Sequence, residues 1–153
     1  MYKQILIPVE NSPADHTILN HIRALAKLLG AGLVLVHVAD GYAARLQNEL
    51  NLEDSEEIKN DKRYLEQLKE ELAQDGFGVK TYLVQGEPSD EILSIAKKEG
   101  CDLIAMSTHG HRFLKDFILG SVAENIRHRT DIPILMVRSI MKEHPLTKES
   151  QKE

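Results

Sequence analysis

The sequence predicts one α/β domain built on a five-stranded parallel sheet in the order 3-2-1-4-5, with helices on both faces. Three observations carry this. Short apolar runs begin near Tyr2, Leu33, Val79, Leu103 and Pro133, and several are continuous, as strands covered on both faces are. Segments with apolar residues at helical spacing lie between them. Every connection is long enough for a right-handed crossover and too long for a hairpin, which forces parallel pairing. Residues 1–140 form the domain, and the charged stretch 141–153 reads as a flexible tail.

The first strand runs from Tyr2 to Val9, with Pro8 at its C-terminal end, where a residue without an N–H is tolerated. Ser12, Pro13 and Asp15 then supply a cap, a first-turn proline and a first-turn acid. Ile18, Ile22, Leu25 and Leu29 form the buried stripe of helix one, which Gly30 ends. His16 and His21, five positions apart, do not share a face and read as solvated. Leu33 to Val38 is strand two, and His37 within it reads as a hydrogen-bonded strand histidine. Residues 40–55 have weak periodicity, consistent with a loop or a loosely formed helix. From Ser55 to Asp75 the helical period returns, with Ile58, Leu65, Leu68 and Leu72 on one stripe and the charges, Asp61 among them, assigned to a solvated face. Val79 to Val84 alternates in part, as an edge strand does. Pro88 and two acids open the next helix, Ile92, Ile95 and Ala96 form its stripe, and Gly100 closes it. Leu103 to Met106 is strand four and Pro133 to Arg138 strand five.

The 153 residues include 42% hydrophobic and 28% charged side chains, the balance of a globular domain with a real core. The net charge of −5 weighs against a nucleic-acid partner. The single cysteine, Cys101, excludes an internal disulfide, fits a reducing compartment and reads as a small buried hydrophobe. No apolar run approaches the roughly 20 residues of a membrane span, and no leader pattern opens the chain, so a cytoplasmic protein is expected.

The most informative stretch runs from Cys101 to Ile126. Strand four gives way to a polar loop, Ser107-Thr108-His109-Gly110-His111-Arg112, and then to Gly120-Ser121, with Ser121 and Glu124 at capping-box spacing. A strand, a donor-rich loop and a helix N-terminus suit a phosphate. Arg112 and Lys115 either add charge there or are solvated loop cations. His109 and His111 flank Gly110; a metal or acid–base pair is conceivable, but loop donors to phosphate are the plainer reading. No phosphate-loop lysine motif and no Ser/His/Asp set is present, so no catalytic residue and no metal ligand is assigned. In the expected strand order the winding reverses between strands one and four, so Pro8 to Glu10 would face Ser107 to Arg112.

With these residues in view, the chain resembles the universal stress protein family over about residues 2–138. Lys-Gln-Ile-Leu-Ile-Pro-Val at the start, Leu-Val-His-Val, Gly-Glu-Pro, Asp-Leu-Ile-Ala-Met-Ser-Thr-His-Gly and Ile-Pro-Ile-Leu-Met-Val-Arg carry the resemblance. The ATP-binding branch of that family has the motif Gly-x2-Gly-x9-Gly-Ser/Thr, which holds here at Gly110 and Gly120-Ser121. Ser107 stands in place of its first glycine, and Glu10 where that branch usually has aspartate. The resemblance implies a Rossmann-like fold of the adenine nucleotide alpha hydrolase-like kind and a bound adenylate, ATP or AMP, with Mg²⁺ where ATP is the ligand. It implies that Pro8, Val9 and Glu10 line the adenosine end, with the Val38 backbone at the adenine edge. Ser107, Thr108, His109, Gly110, His111, Arg112 and Phe113 would wrap the phosphates, joined by Gly120, Ser121 and the N–H groups of Val122 and Ala123. It also implies a homodimer paired through strand five, at Ile134 and Met136, and a regulatory role in the stress response with at most slow, incidental hydrolysis of ATP. The alternative is a nucleotide-free interaction protein with a degenerate pocket, docking through the acidic face of residues 49–75 or through the tail. An enzyme acting on a nucleotide shares the expected sheet, but its catalytic residues are missing here.

Overall fold

A computed structural model of the chain describes residues 1–39, 55–109 and 118–139. The expectations for residues 40–54 and for the tail 141–153 lie outside them. The described elements are β1 (Gln4–Pro8), α1 (Ala14–Leu29), β2 (Gly32–Ala39), α2 (Glu56–Gln74), β3 (Val79–Gln85), α3 (Pro88–Lys98), β4 (Leu103–His109), α4 (Ile118–Arg127) and β5 (Ile134–Ser139). The sheet is parallel throughout, in the order β3-β2-β1-β4-β5.

Alternation along the strands divides the core in two. Ile5, Ile7, Leu33, Leu35, Leu103 and Ala105 face α1 and α2, packing on Ile18, Ile22, Leu65, Leu68 and Leu72. Leu6, Val34, Val36, Ile104 and Met106 face α3 and α4, packing on Ile92, Ala96, Val122 and Ile126. Both faces of the three inner strands are thus covered, which is why their sequences read as continuous apolar runs. β3 and β5 are the edges.

Local chemistry sets the helix ends. Gly30 adopts φ 64 and its N–H caps the Ala26 carbonyl, closing α1 with a left-handed residue. The Ser55 side chain accepts from the Ile58 N–H at 3.3 Å to start α2. The Glu87 carboxylate accepts from the Asp90 N–H at 2.9 Å, and Pro88 opens α3. At the opposite end of the sheet, the Asp102 carboxylate accepts from the N–H groups of Lys3 and Gln4 at 2.9–3.0 Å, fixing the start of β1 to that of β4. Burial pushes the Cys101 thiol up to about 11, with Glu99 and Asp102 adding to it, so it is a packing group and not a thiolate.

Three expectations are corrected. β4 does not stop at Met106: Ser107, Thr108 and His109 remain in the strand, opposite Val137, Arg138 and Ser139 of β5. Polar side chains did not end the ladder because pairing is a backbone property. The last helix does not begin at Ser121 but at Ile118. Ser121 is therefore helical, and Glu124 pairs with Arg127 at 2.6 Å instead of completing a capping box. Asp61 is not solvated; it is buried and faces His37.

Candidate functional site

The strand C-termini meet at one edge of the sheet, and β1 and β4 part there. β1 stays with β2 as far as Pro8 opposite Val36, and the Val9 N–H still donates to the Val36 carbonyl at 2.9 Å. Against β4 its pairing ends at Leu6 opposite Ile104, while β4 follows β5 as far as His109 opposite Ser139. The cause is legible in the backbone. The Lys3 carbonyl and the Val9 N–H engage β2, and the Gln4 carbonyl engages the residue before β4. By alternation, even-numbered positions face β4, so the N–H that Pro8 lacks is the one the next rung would need. The parting coincides with the reversal of winding, where open α/β sheets hold ligands.

On one side of the parting lies the turn from Val9 to Ser12. Asp15, fully buried in the first turn of α1, accepts from the backbone N–H groups of Glu10 (3.1 and 3.2 Å), Asn11 (2.9 Å) and Ser12 (3.4 Å). The Tyr64 hydroxyl donates to the same carboxylate at 2.6 Å. Burial, reinforced by that hydrogen bond and by the Asp15 charge, raises the Tyr64 phenol far above its ordinary range and keeps it a donor. Asn11 takes φ 58, a left-handed conformation that asparagine tolerates, and its side-chain amide donates to Asp61 at 3.1 Å. His37 places Nδ1 2.8 Å from the Val9 carbonyl and Nε2 3.0 Å from the Asp61 carboxylate, so each ring nitrogen faces an acceptor. The Ser12 hydroxyl donates to Glu10 Oε1 at 3.0 Å.

This wiring has a chemical consequence. The N-terminus of α1 already holds an anion, the chain's own Asp15, and the N–H groups of residues 10–12 are taken. With those donors taken and the Glu10 carboxylate in it, the turn suits hydroxyl or amino groups and not phosphate. The helix that follows β4, α4, also turns its positive N-terminal end toward this edge. A helix starting at Ile118 commits the N–H groups of Val122 and Ala123 to its own carbonyls, and the side chains of both are buried in the core. The donors expected from Val122 and Ala123 are thus engaged within the helix.

The other residues singled out by sequence fall as follows. Pro8 ends β1, and Val9 and Glu10 lead the turn beside the parting. Val38 is half-buried in β2 opposite Val84, one residue before that strand ends. Ser107 is fully buried in β4, with its hydroxyl unpartnered among the described residues; by alternation it shares the face of Leu103 and Ala105. Thr108 and His109 complete β4, and Gly120 and Ser121 lie in the first turn of α4. Gly110, His111, Arg112 and Phe113 lie outside the described residues. Sequence reasoning took Asp15 as a simple first-turn acid and missed Tyr64 and Asp61. The signal for Asp61 was present: 58, 61, 65, 68 and 72 follow alternating steps of three and four, so Asp61 occupies a place in the buried stripe.

Among known proteins, the universal stress protein family profile matches residues 1–138. The universal stress protein MJ0577 of Methanocaldococcus jannaschii is 36% identical, the match covering 90% of this chain and 96% of that one. The solved structure of MJ0577 has a TM-score of 0.75, covering 93% of this chain and 99% of its own. The universal stress protein from Archaeoglobus fulgidus solved in complex with dAMP has a TM-score of 0.64 at 22% identity, covering 88% and 97%. Another, solved in complex with cAMP, has a TM-score of 0.64 at 17% identity, covering 90% and 97%. At those identities the last two speak for the fold.

Proposed function

The chain belongs to the universal stress protein family, and we propose that it binds an adenine nucleotide, ATP or AMP, across the parting of β1 and β4. The observation that carries this reading is the asymmetry of the two sides: a turn at residues 9–12 whose N–H groups of Glu10, Asn11 and Ser12 are already bonded to Asp15, and the N-terminus of α4 opposite. A molecule with hydroxyl and amino groups at one end and phosphate at the other fits that polarity in one direction only. Adenosine lies toward Pro8, Val9, Glu10 and the Val38 backbone, and phosphate toward Gly120 and Ser121. The buried Ser107 hydroxyl, which has no partner among the described residues, is a further polar group at this edge. Family members solved with dAMP and cAMP support an adenylate as the ligand class. With ATP bound, Mg²⁺ would accompany the phosphates as their counter-ion. We take the role to be that of a cytoplasmic stress-response switch rather than an enzyme, with any ATP hydrolysis incidental. No helix among the described residues is long and apolar enough to cross a membrane.

The test is to denature freshly purified protein, identify any released small molecule by mass spectrometry, and titrate ATP against the melting temperature of the emptied protein. Ligand at about 100 times Kd adds roughly 2.7 kcal/mol, a rise of roughly 5–10 °C for a domain of this size. No released nucleotide and no rise with ATP would leave the nucleotide-free interaction protein as the reading.

We further propose a homodimer paired along β5. That strand is an edge, and Met136 on it is 53% exposed, one of only three large hydrophobic side chains that stand out in this way among the described residues. Met136→Asp is expected to convert a sedimenting dimer to monomer while leaving the circular dichroism spectrum unchanged. A wild-type monomer at micromolar concentration would overturn the assignment.

A further inference from the structure

Helix α2 is docked on the sheet by an apolar stripe, Ile58, Leu65, Leu68 and Leu72. Two polar side chains three residues apart interrupt that face. Tyr64 donates to the Asp15 carboxylate, which in turn holds the N–H groups of Glu10, Asn11 and Ser12. Asp61 faces His37, whose other nitrogen meets the Val9 carbonyl, and it also accepts from the Asn11 side chain. Both relays start on α2 and end on the same four consecutive residues. Burying an acid and a phenol is unfavourable unless each is paired, and apolar residues of similar size would hold a helix to a sheet at least as well. Docking alone does not account for them.

We propose that Tyr64 and Asp61 are positioning residues for nucleotide binding: through Asp15, His37 and Asn11 they hold the turn at residues 9–12 in its ligand-binding shape. The proposal rests on the nucleotide reading above. It makes α2, an element that supplies no expected ligand contact, a determinant of affinity. In its absence the turn samples other conformations, and only the fraction in the held shape binds.

The experiment compares Tyr64→Phe and Asp61→Leu with Leu72→Ala, a change in the apolar stripe of the same helix that touches neither relay. ATP affinity is measured by calorimetry well below every melting point, and amide hydrogen exchange of Glu10, Asn11 and Ser12 is followed without ligand. Tyr64→Phe and Asp61→Leu are each expected to raise the ATP Kd at least fivefold. Tyr64→Phe should also speed exchange of those three amides about tenfold. Leu72→Ala should keep Kd within twofold of wild type despite a lower melting temperature. Wild-type binding with both relay variants within twofold of it overturns the positioning role and leaves the nucleotide reading standing, whatever the exchange rates do. Failure of the wild type to bind ATP overturns both.

Discussion

Asp15→Ala is expected to remove about 3–5 kcal/mol of unfolding free energy, the range for taking one partner from a buried, charged hydrogen-bonded set. The carboxylate is fully buried and serves four donors, three backbone N–H groups and the Tyr64 hydroxyl. Alanine leaves all four without an acceptor, and an orphaned buried donor costs about 1–3 kcal/mol. Part of that is returned because the acid no longer has to be buried, so the net falls short of the sum. Asp15→Asn keeps one acceptor oxygen and should lose roughly half as much. Urea unfolding at neutral pH measures both. A loss below about 1 kcal/mol for Asp15→Ala would mean that water reaches the turn and replaces the carboxylate, and the turn would then not be pre-shaped.

Ile7→Ala should cost about 2–5 kcal/mol, the transfer free energy of the lost carbons plus the cavity they leave. Ile7 lies fully buried in β1, the middle strand, with helices covering that face, so little around it can collapse into the space. At roughly 2–4 °C per kcal/mol, the melting temperature should fall by roughly 4–20 °C. Leu28→Ala is the control. Leu28 is 83% exposed on α1, and its truncation should stay within about 0.5 kcal/mol. Equal losses at the two positions would contradict the assignment of inner and outer faces.

The fold was legible because its signals are local and redundant. Pro8, Ser55, Pro88 and Gly30 punctuate the chain where the elements change, and the crossovers are too long for any pairing but parallel. Polar residues doing non-local work were less legible. Ser107 has the look of a loop residue, yet it is interior because β5 continues to pair with β4 beside it. Asp61 looks like one charge among many on a solvated helix; its place in the buried stripe separates it from Glu56 or Glu66, but the partner that explains an acid there, His37, lies far along the chain in β2. Ser121 and Glu124 have the spacing of a capping box, but both lie inside a helix that already includes the apolar Ile118 and Leu119. The resemblance to the family located the two sides of the site. It did not locate the supports beneath one of them, Asp15, Tyr64 and Asp61, whose roles depend on which donors converge on them.

The absent N–H of Pro8 has a consequence for how this architecture can change over time. Because Pro8 has no N–H to give to β4, that rung stays unmade whatever side chains surround it. Residues beside the opening can therefore be exchanged without pairing the two strands further at that point, whereas a residue with an N–H at position 8 would offer β4 the missing donor.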